Sequence, residues 1–124
     1  MSNGVEHAQI FVYKLPKKNH DAMVKLIKKF TDLYKKYGTL SWEVYQLNST
    51  EAFDGTTSIA KIVSAGPKEE VLIEVDKYKD RKSRDKAIDA IGQDPSAEPL
   101  FGEMAGILSP GFSIIMGEYN PVKV

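Results

Sequence analysis

The sequence predicts an α+β domain in which one antiparallel sheet carries two main helices on one of its faces. Four short segments are rich in β-branched and aromatic residues, and two segments between them repeat apolar residues at helical spacing. The resulting order, β-α-β-(short α)-β-α-β, is the split βαβ or ferredoxin-like plan. A length of 124 residues and a hydrophobic content of 42% fit a single domain spanning residues 1–124.

The first half of the chain is predicted to form a strand, a long helix and a second strand. Residues 7–15 (HAQIFVYKL) suit a strand because β-branched and aromatic side chains dominate them. A helix is expected over about 20–37, with Asn19 as the N-cap and Gly38 just past the C-terminus. Residues 40–47 (LSWEVYQL) are predicted as the second strand.

A polar loop and a short helix separate this half from the third strand. The loop covers residues 48–57, and Ser58 is placed to cap the short helix that follows. The sequence AGP at 65–67 ends that helix. Residues 70–78 (EVLIEVDKY) then predict the third strand.

The last third of the chain is expected to contain one helix and one strand. The segment YKDRKSRDKAIDAI (78–91) opens the second main helix, with Asp80 as N-cap and an end near residues 92–95. Residues 96–111 are predicted to be loop-rich, because proline and glycine interrupt them. The final strand is placed at residues 112–119 (FSIIMGEY).

Residue alternation in the first and third strands assigns the two faces of the sheet. The β-branched set is placed against the helices: Ala8, Ile10, Val12, Val71, Ile73 and Val75. The opposite set is placed on the open face: His7, Gln9, Phe11, Tyr13, Leu72, Glu74, Asp76 and Tyr78. Because this second set is still rich in aromatic side chains, it needs cover from water. Two sheets packed face to face across a two-fold axis would cover it, which predicts a homodimeric α/β barrel.

The interior of this barrel is the predicted place for a small-molecule site. His7 and Glu74 are the candidates for catalysis, because a histidine beside a carboxylate can transfer protons in an apolar chamber. The candidate ligand-binding residues are Phe11, Tyr13, Trp42, Tyr45 and Arg84. Trp42 and Tyr45 have opposite parity on their strand, so only one of them can point inward. The same polar residues would also suit the margin of a dimer interface, and that alternative stays open.

Charge and composition argue against several partners. Seventeen basic residues balance seventeen acidic ones, and aspartates interrupt the basic segment 76–89, so specific binding of nucleic acid is not expected. No segment predicts a membrane span or a signal peptide, and cysteine is absent, so a cytoplasmic protein is expected. No motif predicts a metal or a cofactor. His20, in the first turn of the long helix, is expected to be solvated.

Several of these segments resemble the YbaA-like family, small uncharacterised proteins of the dimeric α/β-barrel superfamily. The resemblance rests on FVYKLPKKN (11–19), TTSIAKIVSAGPKEEVLIE (56–74), YKDRKSRDKAIDAIGQDP (78–95) and GFSII (111–115). It implies the ferredoxin-like fold and a homodimer. Because the superfamily includes cofactor-free monooxygenases, lyases and members without a known activity, it does not select a reaction.

Three functions follow from the sequence. The first is a module that binds a small metabolite in the barrel. The second is a cofactor-free enzyme, similar to a monooxygenase, isomerase or lyase, that acts on a small aromatic or carbonyl compound. The third is a structural or partner-binding dimer without a ligand.

Overall fold

The computed structural model describes residues 6–124, which form four strands, one 3-10 turn and four α-helices. In chain order the elements are β1 His7–Pro16, a 3-10 turn Lys17–Asn19, α1 His20–Lys36, β2 Ser41–Gln46, α2 Ile59–Ile62, β3 Glu69–Tyr78, α3 Arg81–Gln93, α4 Ala97–Ile107 and β4 Ile115–Tyr119. Within residues 6–124, none of the helices has both the length and the apolar character that crossing a membrane requires.

The strands form one antiparallel sheet in the order β2-β3-β1-β4. Its two central strands, β1 and β3, pair over ten residues, from His7 with Tyr78 to Pro16 with Glu69. The first and second βαβ halves therefore interlock in the centre of the sheet, as the split βαβ plan requires. The predicted α+β class and ferredoxin-like topology are confirmed.

Helix boundaries follow the local signals at three of the four predicted caps. The Asp80 carboxylate accepts from the Ser83 amide at 2.7 Å, and Ser58 caps α2 through the Ala60 amide. Gly38 follows α1 with a φ of 93°, a conformation that glycine adopts without strain. Asn19 also precedes α1, but its side chain donates to the backbone of the distant α4 instead of capping.

The prediction that residues 96–111 are loop-rich is wrong, because most of this segment forms α4. Pro99 lies in the first turn, where a missing amide hydrogen does not break a helix. Ala97, Leu100 and Met104 are buried at helical spacing, so packing outweighs the low helix propensity of the two glycines in this segment. The chain then turns at Gly111, with a φ of 76°, and β4 begins at residue 115 rather than 112.

The predicted face assignment is also wrong, because the sheet is turned over relative to it. The strand residues buried on the helix side are His7, Gln9, Tyr13, Leu15, Trp42, Glu70, Leu72, Glu74, Asp76 and Tyr78. The β-branched set, apart from Val71, is only half-buried on the open side. Three helices, including the unexpected α4, create a deep layer that only large side chains fill, whereas the smaller β-branched side chains leave a flatter surface.

The core is centred on aromatic contacts between α1 and the sheet. Phe30 is 1% exposed and stacks on Trp42, with ring centroids 6.0 Å apart. Tyr34 and Phe101 complete this aromatic group from α1 and α4. The inner face of α1 is formed by apolar residues at helical spacing: Met23, Leu26, Phe30, Leu33 and Tyr34 are buried, and Ile27 and Tyr37 are partly buried against them.

Replacing Phe30 with alanine should destabilise the protein by about 3–5 kcal/mol, because a large cavity would form beside Trp42. Lys28→Ala, on the exposed side of α1, is the matched control and should change stability by less than about 0.5 kcal/mol. Urea denaturation measures both values. Equal small losses in the two variants would contradict the packing described for α1.

Candidate functional site

Two carboxyl groups are buried side by side between the sheet and its helices. Glu74 and Asp76 are two residues apart on β3, so alternation directs both side chains to the helix side. Glu74 is 2% exposed and Asp76 is 0% exposed. Carboxyl groups are rarely buried to this degree without a cation beside them. This acid pair is therefore the most unusual chemical feature of the described residues.

Neutral donors, rather than cations, surround the acid pair. The hydroxyl of Tyr13 donates to Glu74, and the Gln9 amide donates to Asp76 Oδ2 at 3.3 Å. Glu74 and Asp76 lie close enough for each to shift the pKa of the other. The second oxygen of Asp76, Oδ1, is buried and has no partner within residues 6–124, and neither has the indole Nε1 of Trp42. Trp42 pairs directly with Asp76 across β2 and β3, so the unpaired atoms belong to neighbouring side chains.

This environment favours a protonated acid. Burial raises the pKa of Asp76 above its ordinary value, and the hydrogen bond and negative charge of Glu74 raise it further. Burial also raises the pKa of Glu74. The phenol pKa values of Tyr13 and Tyr78 are raised mainly by burial, so both remain proton donors. The raised pKa of Asp76 therefore favours one proton on the pair at neutral pH, as for carboxyl groups placed close together in acid-base active sites.

Polar contacts connect the acid pair with the surface of the protein. Arg84, from α3, donates through Nε to Gln9 Oε1 at 2.8 Å. Glu118, from β4, lies 3.6 Å from the same Nε and 2.9 Å from Nε2 of His7. The pKa of Glu118 is lowered mainly by the hydrogen bond from His7. Gln9 therefore joins Asp76 to a charged cluster at the edge of the sheet, of which Arg84 and Glu118 are partly exposed.

The structure separates the sequence-predicted site residues into two groups. His7, Phe11, Tyr13, Trp42, Glu74 and Arg84 lie on the helix side, around or beside the acid pair. Of Trp42 and Tyr45, which were predicted to point in opposite directions, Trp42 is the one on the helix side, and Tyr45 lies on the open side with its hydroxyl on Glu43. The small-molecule site was predicted to lie between two packed sheets. This location is wrong, because the candidate residues on the helix side lie between the sheet and its helices.

Aromatic residues mark the approach to the acid pair from the sheet edge. Phe11 stacks on Tyr13 with an interplanar angle of 11° and is only half-buried. Its cross-strand neighbour Met116 is 47% exposed. Trp42, by contrast, packs in the core against α1, so its indole supports the floor of the site.

Sequence reasoning missed three functional candidates. Alternation places Asp76 on the same face of β3 as Glu74, and Gln9 on the same face of β1 as Tyr13. The sequence therefore grouped these four residues, although the group was assigned to the wrong face of the sheet. Glu118 became recognisable only from the pairing of β4 with β1. The expectation for His20 is also corrected: although its side chain is 40% exposed, it is paired with the buried Glu70.

The described residues, 6–124, contain no group of three or more histidine, cysteine, aspartate or glutamate side chains arranged to hold a metal ion. The acid pair, with tyrosine and glutamine donors, is suited instead to hydrogen bonding and proton transfer.

The model of a family of proteins of unknown function, DUF1428, matches residues 6–106. The chain belongs to this family. A comparison with curated proteins gave no match.

Solved structures show the same fold at low sequence identity. A protein from Arabidopsis thaliana is 12% identical with a TM-score of 0.64, over 95% of this chain and 97% of that chain. A dimeric ferredoxin-like protein from an uncultured marine organism is 10% identical with a TM-score of 0.64, over 97% and 98% of the two chains. A protein from Nitrosomonas europaea, provisionally described as an antibiotic biosynthesis monooxygenase, is 12% identical with a TM-score of 0.62, over 98% and 95%. These similarities confirm the fold of this DUF1428 member.

The acid pair gives this DUF1428 protein a distinctive dependence of stability on pH. A carboxyl group whose pKa is raised by folding binds its proton more tightly in the native state, so stability falls as pH rises from the ordinary carboxyl pKa towards the raised one. The slope approaches about 1.4 kcal/mol per pH unit for one retained proton. Asp76→Asn removes this group, so the variant should gain stability relative to the wild type as pH rises from about 5 to 8.

Chemical denaturation across this pH range measures the difference between the two proteins. Asp85→Asn, at an exposed position of α3, controls for loss of a carboxylate that is not buried. A constant difference between wild type and Asp76→Asn at every pH would contradict a shared proton.

Proposed function

We propose that this protein binds a small metabolite between its sheet and its helices and transfers a proton to or from it through the Glu74–Asp76 pair. The observation that supports the proposal is a pair of buried carboxyl groups in which Asp76 Oδ1 has no partner within residues 6–124 and the pKa of Asp76 is raised. A buried polar atom without a partner is costly, and a ligand or a bound water would satisfy it.

The surrounding residues define the class of ligand. A protonated carboxyl group donates a hydrogen bond to a carbonyl or phenolate oxygen, and Tyr13 orients the pair by donating to Glu74. Phe11 offers an aromatic surface on the approach from solvent. Arg84 and His7 place positive and titratable groups at the outer end. A small aromatic or carbonyl compound with an oxygen substituent matches this arrangement.

The same geometry favours catalysis over passive binding. A site that only holds a ligand needs no group with a strongly perturbed pKa, whereas such groups are enriched where acid-base chemistry occurs. A cofactor-free enzyme is therefore the second form of the proposal, and the similarity to the Nitrosomonas europaea protein accords with it without naming a reaction.

A homodimer through the open face of the sheet forms part of the proposal. Tyr45, Ile73, Val12 and Ile115 pair in one continuous row across all four strands on this face. Ile115 is 46% exposed and Tyr45 is 51% exposed, so the row leaves apolar surface in water. One of the structural relatives is a dimeric ferredoxin-like protein. Packing of two such faces would remove this surface from water.

The narrower resemblance to the YbaA-like family stays a prediction, supported by the segments at 11–19 and 78–95. The cytoplasmic location also stays a prediction, as does the expectation that neither nucleic acid nor a membrane is a partner.

Ile115→Glu should convert the dimer to a monomer, because it would bury a carboxylate in the apolar interface. Lys28→Glu, on the exposed side of α1, changes charge elsewhere and should leave the dimer intact. Sedimentation velocity at micromolar concentration distinguishes the two states. A wild-type monomer, or an Ile115→Glu dimer as stable as the wild type, would exclude this interface.

The acid pair itself can be observed by carbon NMR of labelled carboxyl groups. We expect one carboxyl of the pair to stay protonated above neutral pH in the wild type. In a screen of small phenols and aldehydes, Glu74→Gln should keep the oligomeric state but lose the ligands that the wild type binds. Glu103→Gln, at an exposed position of α4, should keep them. If both carboxyls titrate near their ordinary pKa, or if Glu74→Gln binds the same ligands with unchanged affinity, the proposed site is wrong.

A further inference from the structure

A second titratable cluster lies near the opposite end of β3, away from the acid pair. His20, in the first turn of α1, faces Glu70 on β3 and Gln46 at the end of β2. Glu70 is 6% exposed. It lies four residues before Glu74, the nearer member of the acid pair, a separation of about 13 Å at the rise of an extended chain. The cluster therefore forms a separate site, and its inference does not rest on the proposed function.

Both oxygens of Glu70 are engaged. Nδ1 of His20 lies 2.8 Å from Oε1 and 3.0 Å from Oε2, and the Gln46 amide donates to Oε2 at 3.1 Å. A carboxylate on one ring nitrogen fixes both the orientation and the tautomer of a histidine. The other ring nitrogen, Nε2, has no hydrogen-bond partner among residues 6–124. The imidazole ring is therefore held in one orientation, with Nε2 available to bind a ligand.

An apolar cleft of about 210 Å³ adjoins this histidine between α1 and the β2–β3 side of the sheet. His20 and Gln46 lie among its lining residues. The apolar lining consists of Met23, Val24, Ile27, Val44 and Leu72. The volume is below the roughly 300–1,000 Å³ of pockets that hold drug-sized ligands, so only a small molecule fits.

We propose that this cleft and His20 form a binding site for small amphipathic carboxylates, with the apolar part of the ligand against α1 and its carboxylate accepting from Nε2 of His20. The charged groups that face His20 are Glu70 on β3 and its neighbour Asp21 on α1, while Gln46 on β2 is neutral. The pKa of His20 is raised mainly by the hydrogen bond to Glu70, which helps the ring keep the second proton that the ligand requires. The positive ring of His20 then has two carboxylate partners: Glu70 on Nδ1 and the ligand on Nε2.

The chemistry of the cleft separates this ligand class from others. The described lining contains no lysine or arginine, so a phosphate would find one donor where it prefers several. An uncharged alcohol would gain the apolar contacts but not the charge-assisted hydrogen bond. An unbranched short-chain carboxylate gains both.

Hexanoate is the probe for the wild-type protein, with 1-hexanol as the matched neutral compound. In proton–nitrogen NMR titrations, hexanoate should shift the amide signals of residues 20–27 and 44–46, and 1-hexanol should bind at least tenfold more weakly, since a charge-assisted hydrogen bond contributes more than a factor of ten in affinity. Affinity should fall between about pH 6 and about pH 9, because the histidine loses its charge over this range while the carboxylate keeps its own.

Two variants test the two parts of the site. His20→Asn retains an amide that can donate to Glu70 but removes Nε2, and it should weaken hexanoate binding about tenfold and abolish its pH dependence. Val24→Trp fills the exposed rim of the cleft and should block hexanoate while leaving α1 folded, because Val24 is 50% exposed. Lys28→Ala removes a positive charge from the same helix outside the cleft and should bind as the wild type does.

The site would be supported if hexanoate shifts the amide signals of residues 20–27, if these shifts need a higher hexanoate concentration in His20→Asn, and if they disappear in Val24→Trp. Three results would each overturn it: no shifts with hexanoate at about pH 6, equal binding of 1-hexanol, or undiminished binding in His20→Asn. Loss of the phenol or aldehyde binding proposed for the acid pair would not affect any of these results, since Asp76 lies far from His20.

Discussion

The burial of Glu74 and Asp76 side by side is the constraint on which the rest of the structure depends. Two negative charges in that position would repel each other in a poorly solvated environment, so the fold surrounds them with neutral donors and retains a proton between them. Tyr13 and Gln9, both on β1, supply these donors because β1 and β3 are paired over their full length. The register of the two central strands thus determines both the core of the sheet and the chemistry of the site.

Cations are kept one layer away from the acid pair. Arg84 contacts Gln9 rather than Asp76, and its remaining contacts are with Asp85 and Glu118. A guanidinium group placed directly on Asp76 would have lowered its pKa and removed the shared proton. Gln9 hydrogen-bonds to both Asp76 and Arg84, and its amide carries no charge. The pKa of Asp76 therefore stays raised although Arg84 lies only one side chain away.

The two faces of the sheet have separate roles. The helix face contains the polar clusters, including the acid pair and Glu70 with His20, whereas the open face carries a row of β-branched and aromatic side chains. Strand β3 serves both faces by alternation, since most of its even-numbered residues are polar or aromatic and several of its odd-numbered residues are β-branched. A substitution on the open face can therefore leave the groups of both candidate sites in place.

The amino-acid sequence by itself determined the order of elements, because local periodicity, caps and turn residues act over a few neighbouring positions. It did not reveal α4, since proline and two glycines lower the local helix propensity there and only burial of Leu100 and Met104 compensates. Alternation also identified which residues share a face, and so it grouped His7, Tyr13 and Glu74 correctly. Which face meets the helices was decided only by tertiary packing, because both faces are apolar enough to be covered and only the depth of the helix layer selects the larger side chains. Tertiary packing also decided three contacts: the Glu74–Asp76 pair, the Arg84–Gln9 hydrogen bond and the His20–Glu70 pair. The last two join residues at least two elements apart. The first depends on burial, which a local sequence pattern does not determine.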